Sequence, residues 1–254
     1  MFADVSKAAG VFVTGTDTGV GKTLVAAALA RFLSEQGLRV GVMKPVETGV
    51  EDPSGPGQDA TLLQWASGGS DDPQTIAPYR MRLPLAPSVA AEKEGVRIDP
   101  ARIIDAARRL SASNDFLIVE GAGGLMAPLS GGLLMADLAR QTGLPLLVVC
   151  RPGLGTVNHT LLTVFAARAM EIPLAGFLIN GMPRDPDEAE SSAPHTLASL
   201  ASADLLGVLG RVQGDDRQKV EALTSEMAAL PTLSWLLANL GLAGKLRKPP
   251  EHPI

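Results

Sequence analysis

The stretch Gly15-Thr16-Asp17-Thr18-Gly19-Val20-Gly21-Lys22-Thr23 follows an apolar run at positions 11–13 and precedes a helix-forming run at 24–33. A strand, a glycine-rich turn, a Lys-Thr pair and a helix, in that order, are the layout of a phosphate-binding loop. The glycines let backbone N–H groups surround an anion, and the start of the helix adds the positive end of its dipole. Lys22 can reach the β- and γ-phosphates of a nucleotide, and the Thr23 hydroxyl can bind Mg²⁺. The stretch therefore predicts a nucleotide-binding site at the start of the first helix.

This loop departs at one position from the strict pattern G-x-x-x-x-G-K-[ST]. The first glycine of the pattern falls on Thr16, while Gly15 lies one residue earlier. The alternative interpretation is a glycine-rich strand-to-helix turn that carries an exposed lysine. Because the flanking runs are those of a buried strand and a helix, we favour the phosphate-binding loop.

Composition and charge narrow the class of protein. Of the 254 residues, 46% are hydrophobic and 19% are charged, which suits a single α/β domain with a large core. The net charge of −5 disfavours a general nucleic-acid binder, since such affinity rests on clustered Lys and Arg. The single cysteine, Cys150, ends an apolar run and is expected in the core, in a reducing compartment. Without a signal-peptide pattern or an apolar run of membrane-spanning length, we expect a cytoplasmic protein without membrane partners.

Apolar runs and helix-forming runs alternate along the chain. The predicted strands lie at 11–14, 38–43, 115–120, 144–149, 174–179 and 205–209. The predicted helices lie at 24–33, 60–66, 99–110, 133–141, 160–170, 194–202, 219–229 and 233–240, with an irregular segment at 70–96. This alternation predicts an α/β fold with a doubly wound, mostly parallel sheet and helices on both faces. We expect one domain over 1–254, with flexible ends at 1–9 and 245–254.

Charged side chains follow two predicted strands at their carboxyl ends, where ligands bind in open α/β sheets. Lys44 follows the second strand, and Glu120 ends the third and precedes a glycine turn. An acid in the place of Glu120 approaches the metal in phosphate-loop enzymes, although it can also be a solvated acid at a strand end. Asp59 opens a helical run, and the sequence leaves open whether it is an N-cap or a ligand of Mg²⁺.

Two further sites in the second half of the chain can bind a ligand. The glycine-containing helix start at 153–159 can receive an anion such as a substrate carboxylate, and we assign its His159 a structural role. Asn180 ends a predicted strand, and its amide offers the acceptor and the donor that match an adenine edge. An ordinary Asn-Gly turn is the alternative interpretation of Asn180 and Gly181.

Four motifs, in this order and spacing, resemble those of dethiobiotin synthases. They are the stretch at 15–23, Lys44-Pro45-Val46, Val119-Glu120-Gly121-Ala122-Gly123-Gly124 and Gly155-Thr156-Val157-Asn158-His159. The resemblance covers about positions 11–210. It implies a phosphate-loop cyclo-ligase of biotin biosynthesis that uses ATP and Mg²⁺ to convert 7,8-diaminononanoate and CO₂ into dethiobiotin, ADP and phosphate. It also implies a homodimer with the substrate bound near the subunit interface.

The resemblance implies roles for individual residues. The implied catalytic residues are Lys44, Lys22 and Thr18, and the implied Mg²⁺ ligands are Thr23, Asp59 and Glu120. The residues implied to bind the nucleotide and its metal are Gly19, Val20, Gly21, Lys22, Thr23, Leu24, Asp59, Glu120, Gly121, Ala122, Gly123, Asn180, Gly181, Leu209, Gly210 and Arg211. The residues implied to bind the substrate are Thr48, Gly155, Thr156, Val157 and Asn158.

Two positions differ from the family pattern. Thr48 stands where the family usually has a serine that contacts the substrate, and it keeps the hydroxyl. Gly210 stands where many members have a proline after the last strand, so we expect the loop that closes over adenine to differ here.

Two other classes of protein share the expected fold. Partition and division-site ATPases carry a lysine early in the phosphate loop, where this chain has Asp17, and an aspartate where it has Glu120. The chain also lacks the basic run or the amphipathic membrane helix that such switches use. Amidotransferase-type synthetases of the cobyrinate group carry a second domain with a nucleophilic cysteine, for which we expect no room in this sequence.

Overall fold

The computed structural model describes residues 9–245, in which strands and helices alternate as predicted. In chain order the elements are β1 (Ala9–Gly15), α1 (Lys22–Glu35), β2 (Val40–Met43), β3 (Val46–Thr48), α2 (Gln58–Ser67), α3 (Pro73–Ile76), β4 (Tyr79–Met81), α4 (Pro87–Glu94), α5 (Pro100–Ser113), β5 (Phe116–Gly124), β6 (Pro128–Ser130), β7 (Leu133–Leu134), α6 (Met135–Thr142), β8 (Leu146–Cys150), α7 (Thr156–Ala169), β9 (Leu174–Met182), α8 (Glu188–Leu200), β10 (Leu205–Gly210), α9 (Asp216–Ala228) and α10 (Leu233–Asn239).

Six strands form the central sheet in the order β10-β9-β8-β1-β5-β2. Every neighbouring pair in this sheet is parallel. β2 and β5 lie on one side of β1, and β8, β9 and β10 lie on the other. The predicted doubly wound fold is therefore confirmed, and the glycine loop after β1 lies at the switch point where ligands of such sheets bind.

Helices cover both faces of the sheet and create two cores. In β1, Phe12 packs into one core, whereas Val11 and Val13 pack into the other. The first core also receives side chains from α5, α6, α7 and α8, and the second from α1, α2, α9 and α10. All three β1 side chains are fully buried. This is why the strand is apolar at consecutive positions, as strands of a parallel sheet covered on both faces are.

The helix predicted at 99–110 has the predicted start. Asp99 is the N-cap of α5, and its side chain accepts a hydrogen bond of 2.9 Å from the Ala101 N–H. Pro100 takes the first helical position, where the missing N–H costs nothing.

Two predicted helix starts are wrong. α8 begins at Glu188 and contains Pro194, at which the sequence predicted its start. Asp187 and Glu190 form a capping box, with hydrogen bonds of 2.8 Å and 3.1 Å between side chain and backbone, that starts the helix six positions before the proline. α7 begins at Thr156 rather than at position 160, so the glycine motif leads directly into its first turn.

The segment at 70–96, predicted to be irregular, contains α3, β4 and α4. β4 pairs in parallel with β3 in a small second sheet, with Thr48 opposite Met81. α4 packs against β3 and β6. Short strands of three residues have too little periodicity to be detected in a single sequence.

The flexible ends predicted at 1–9 and 245–254 lie outside the described residues, except for Ala9 and Lys245. Within residues 9–245, none of the helices has the length and apolar character needed to span a bilayer. Cys150 is a free, buried cysteine, as predicted.

Candidate active site

The loop between β1 and α1 has the conformation that its glycines allow. Gly19 and Gly21 have φ angles of 76° and 89°, in the left-handed region that other residues rarely adopt. Gly21 is also the N-cap of α1 and offers no side chain to its first N–H groups, which remain available to an anion. The Lys22 ammonium donates a hydrogen bond of 2.8 Å to the Asp17 carbonyl, so this side chain folds back over the loop.

Four of the predicted site residues converge beside this loop. Lys44 Nζ lies 2.5 Å from Glu120 Oε1 and 2.7 Å from Asp59 Oδ2. Thr23 Oγ1 donates a hydrogen bond of 2.7 Å to the same Glu120 oxygen. These side chains come from the end of β2, from β5, and from the first turns of α2 and α1. The arrangement excludes Asp59 as the N-cap of α2, because Gly57 is the N-cap and Asp59 lies inside the first turn.

Burial and charge determine the protonation of this cluster. Complete burial raises the pKa of Glu120, and the Lys44 ammonium opposes that shift. Burial by itself lowers the pKa of Lys44, but the Glu120 and Asp59 carboxylates outweigh it, so the pKa is raised. Burial lowers the pKa of Lys22 more than the nearby carboxylates restore it. The two carboxylates therefore favour the ammonium form of Lys44.

The cluster has the chemistry of a Mg²⁺ site. A hydroxyl and two carboxylates are hard oxygen donors, which Mg²⁺ prefers. Glu120 Oε2 is buried and has no hydrogen-bond partner among residues 9–245, so one lone-pair direction of this carboxylate is unused. The described part of the chain has no group of three His, Cys, Asp or Glu side chains that would hold a metal by itself. Two carboxylates and a hydroxyl suit an ion that also coordinates nucleotide phosphates.

A cavity of about 300 Å³ lies on the other side of the loop. It is lined by Gly19, Val20, Gly21, Leu24, Arg151, Pro152, Asn180, Gly181, Gly210, Arg211, Val212, Lys219 and Leu223. Asn180 Nδ2 donates a hydrogen bond of 3.0 Å to the Val20 carbonyl and so ties β9 to the phosphate loop. A Cβ on Gly21 would overlap the Asn180 amide. The Leu209 side chain, by contrast, is fully buried in the core and does not line this cavity.

The glycines predicted to form a turn after Glu120 are instead the last residues of β5, which runs to Gly124 beside the phosphate loop. Gly124 is paired with Gly15 in the register of β5 and β1. Gly123 has a φ of 67°, and a Cβ there would lie 3.9 Å from Thr18 Oγ1. This end of β5 contains the predicted nucleotide contacts Gly121, Ala122 and Gly123.

The predicted substrate residues fall into two groups on opposite sides of β1. Thr48 ends β3, which follows the edge strand β2. Gly155 is the N-cap of α7, which follows β8, and it has a φ of 92° and no side-chain cap. The first turn of α7 contains the other predicted substrate contacts, Thr156, Val157 and Asn158.

One buried acid in this region was given no role by the sequence. Glu47 is 5% exposed, and burial raises the pKa of its carboxyl group. It accepts hydrogen bonds from the backbone N–H groups of Asp59 and Ala60, at 2.8 Å and 3.2 Å. In the sequence, Glu47 is noticeable only as an acidic residue next to the apolar Val46. Its hydrogen-bond partners lie 12 and 13 positions further along the chain, so no local pattern reveals its role. Arg151 and Lys219, which line the cavity, were also missed.

A parallel sheet, a glycine loop after its central strand, a Lys-Thr helix start and a carboxylate on the adjacent strand define a phosphate-loop NTPase. A family model described as an AAA domain matches residues 9–221. The MinC:MinD cell division protein complex of Aquifex aeolicus aligns with a TM-score of 0.54 at 12% identity, over 95% of this chain and 98% of that chain. MinD complexed with Mg-ADP from Pyrococcus horikoshii OT3 aligns with a TM-score of 0.53 at 16% identity, over 95% and 100%. At such identities the likeness shows the fold alone.

Curated sequences narrow the class to one family. ATP-dependent dethiobiotin synthetase BioD of Anaeromyxobacter dehalogenans (strain 2CP-C) is 48% identical over 192 residues, which are 76% of this chain and 84% of the relative. BioD of Bacillus subtilis (strain 168) is 38% identical over 233 residues, 92% of this chain and 99% of the relative. The chain belongs to the ATP-dependent dethiobiotin synthetase family, and the resemblance of its motifs is confirmed.

Proposed function

We propose that this chain is a cyclo-ligase that forms dethiobiotin, ADP and phosphate from 7,8-diaminononanoate, CO₂ and ATP in biotin biosynthesis. Membership of the dethiobiotin synthetase family gives the reaction. The structural observation that supports this reaction is that four side chains converge beside the phosphate loop, namely Thr23, Lys44, Asp59 and Glu120. The protein acts as a single domain in the cytoplasm.

The reaction brings two anions together. One amine of the substrate forms a carbamate with CO₂, and a carbamate oxygen then attacks the γ-phosphorus while the bond to the ADP oxygen breaks. The second amine attacks the carbonyl carbon of this mixed anhydride, phosphate leaves, and the ring closes. Lys22 and Lys44 neutralise the charge that accumulates between carbamate and phosphate, which is the main route to catalysis in phosphoryl transfer. Thr18, on the exposed face of the loop, donates a hydrogen bond to a carbamate or phosphate oxygen.

Thr23, Asp59 and Glu120 are the Mg²⁺ ligands in this proposal. Their donor set fits the ion, and the unpartnered Glu120 Oε2 is an unused acceptor at the same place. When bound, Mg²⁺ neutralises phosphate charge on the nucleotide. The cavity beside Asn180 receives the adenine base, and the backbone of β5 at 121–123 contacts the nucleotide. Gly181, Gly210 and Arg211 complete the base site, and Leu209 contributes only through its backbone.

Thr48 and the first turn of α7 bind the two ends of the substrate, with the α7 turn supplied by the partner subunit of a homodimer. The two groups lie on opposite sides of β1 within one chain, which supports a shared site. Large apolar side chains are exposed on and just before α7, namely Leu154 at 89%, Leu162 at 58% and Phe165 at 71%. Such exposure on adjacent surface positions supports an interface there.

The dimer is tested by Phe165→Glu, with Trp235→Glu as the matched control because Trp235 is 62% exposed on α10. Sedimentation analysis should give dimers for the unaltered protein and for the control, and monomers for Phe165→Glu. Dimers of unchanged stability in Phe165→Glu would remove this face from the interface.

The reaction is tested by incubating the purified protein with 7,8-diaminononanoate, ¹³C-bicarbonate, Mg²⁺ and ATP. The expected product is dethiobiotin that carries the ¹³C label, as detected by mass spectrometry, in an amount equal to the phosphate released. ATP hydrolysis without ring closure would overturn the proposal and point to a switch ATPase or a related synthetase.

A further inference from the structure

Glu47 provides the N-terminal cap of a helix to which it does not belong. The first turn of a helix has N–H groups without intrahelical partners, and the N-cap of α2, Gly57, has no side chain to satisfy them. The Glu47 carboxylate, which comes from β3, instead accepts from the N–H groups of Asp59 and Ala60 with its two oxygens. A buried carboxylate at this end of a helix also interacts favourably with the helix dipole.

The residue that Glu47 holds by its backbone is a proposed metal ligand. Asp59 donates its N–H to Glu47 at 2.8 Å, while its own carboxylate lies 2.7 Å from Lys44. Glu47 therefore determines the position of the backbone from which the Asp59 carboxylate projects.

The space for Glu47 is made by a glycine. A Cβ on Gly57 would overlap the Glu47 carboxyl group. The backbone of Gly57 has φ −71° and ψ 168°, an extended conformation that any residue adopts. A side chain at position 57 would therefore displace the Glu47 carboxyl group, although the backbone angles there suit any residue.

We propose that Glu47 is a positioning residue that orients Asp59 for metal binding and joins the metal site to the substrate segment. This inference rests on the proposed function of the same site. Lys44, Glu47 and Thr48 lie on one short segment, and successive strand residues point to opposite sides. Glu47 faces α2 and the metal ligand, which leaves Thr48 on the other side for the substrate.

The first test is Glu47→Gln, with Asp187→Asn as the matched control. Asp187 also caps a helix, by accepting from the Glu190 N–H at 2.8 Å, but it caps α8, away from the cluster. Mn²⁺ is titrated into each protein in the presence of ADP, and free Mn²⁺ is followed by electron paramagnetic resonance. Glu47→Gln should weaken Mn²⁺ binding by about 10–100-fold, as loss of an orienting partner at a metal site does. Asp187→Asn should leave Mn²⁺ affinity unchanged, because an Asn oxygen also accepts at an N-cap and the site is away from the cluster.

The second test displaces the Glu47 carboxylate by a substitution at position 57, without changing Glu47 itself. It applies even if Glu47→Gln folds poorly. Gly57→Ala should weaken Mn²⁺ binding because its methyl group displaces the carboxylate. In the double variant with Glu47→Ala the clash is absent, so the loss should be no larger than that of Glu47→Ala alone. Unchanged Mn²⁺ affinity in folded Glu47→Gln, or losses that multiply in the double variant, would overturn the inference.

These outcomes are separable from those of the proposed reaction. If the unaltered protein forms dethiobiotin and Glu47→Gln binds Mn²⁺ normally, only the role of Glu47 is refuted. If the unaltered protein binds Mn²⁺ with ADP but forms no dethiobiotin, the reaction is refuted and the Glu47 measurements still decide its positioning role.

Discussion

Lys44 Nζ lies 2.5 Å from Glu120 Oε1, and the two side chains are 6% and 0% exposed. The register of the sheet produces this pair, because Met43 of β2 is aligned with Val119 of β5 and the next residue on each strand is the charged one. Lys44 directly follows β2, and Glu120 lies within β5, which continues to Gly124, so the register delivers a cation and an anion to one point. Removal of Lys44 leaves the buried Glu120 carboxylate without this cation, whereas removal of Glu120 leaves Lys44 paired with Asp59.

Lys44→Ala should lower the turnover number for dethiobiotin by on the order of a hundredfold or more, as loss of one electrostatic group at a developing charge does. Steady-state formation of dethiobiotin at saturating ATP measures the effect. Lys93→Ala is the control, because Lys93 is exposed on α4. Near-normal turnover in Lys44→Ala would remove this lysine from the mechanism.

Thr23→Val should weaken Mg²⁺-dependent ATP binding on the order of tenfold or more, since it replaces a ligand hydroxyl by a methyl group of similar size. It also removes the 2.7 Å hydrogen bond to Glu120. Thr23→Ser keeps the hydroxyl and should retain most of the affinity. Isothermal titration with Mg²⁺ and ATP compares the two variants, and full affinity in Thr23→Val would show that the hydroxyl is not needed.

Asn180→Ala should reduce the preference for ATP over ITP by about tenfold, because one or two neutral hydrogen bonds to the base edge contribute about 0.5–1.5 kcal/mol each. The ratio of kcat/KM for the two nucleotides is the measurement. This ratio separates recognition of the base from the hydrogen bond that Asn180 donates to the Val20 carbonyl. Loss of that hydrogen bond should lower kcat/KM for both nucleotides equally. Asn239→Ala, on α10, is the control. An unchanged ratio would assign Asn180 to the loop alone.

Asp115→Asn should remove part of the acid dependence of stability. Hydrogen bonds from the Arg39 side chain and backbone lower the pKa of Asp115 in the folded protein. A carboxyl group with a lowered folded pKa stabilises the fold above its unfolded pKa of about 3.9, and this contribution is lost as the pH falls through the folded pKa. Melting temperatures of the two proteins should therefore differ by a small amount at neutral pH and converge in acid. Parallel curves at all pH values would contradict the prediction.

Cys150 should resist alkylation in the folded protein. Burial raises the pKa of its thiol to about 11, and only the thiolate reacts with iodoacetamide. At about pH 8, where a free cysteine with a pKa near 8.5 reacts readily, mass spectrometry should find the native chain unmodified. The same chain in urea is the control and should gain one adduct on this single cysteine. Rapid modification of the native chain would show that β8 opens to solvent.

The predictions that succeeded rest on local patterns. The buried strands of the central sheet were found because strands covered on both faces are apolar at consecutive positions. The phosphate loop and the positions of Lys44 and Glu120 followed from motif order. The start of α8 was predicted wrongly because we took Pro194 as the first helical residue, although the capping box at Asp187 and Glu190 starts the helix earlier. The strands β3 and β4 were missed because each has only three residues.

The sequence by itself determined the class of fold, the phosphate loop, the family, and that Lys44 and Glu120 come directly after apolar strand residues, because each depends on residues close together in the chain. Only the tertiary structure decided that Asp59 lies inside its helix rather than capping it, and that Glu47 is the cap instead. It also decided that the Leu209 side chain belongs to the core. These outcomes depend on the register between strands and on the packing of α2 and α9 against them, which bring together residues that no local pattern relates.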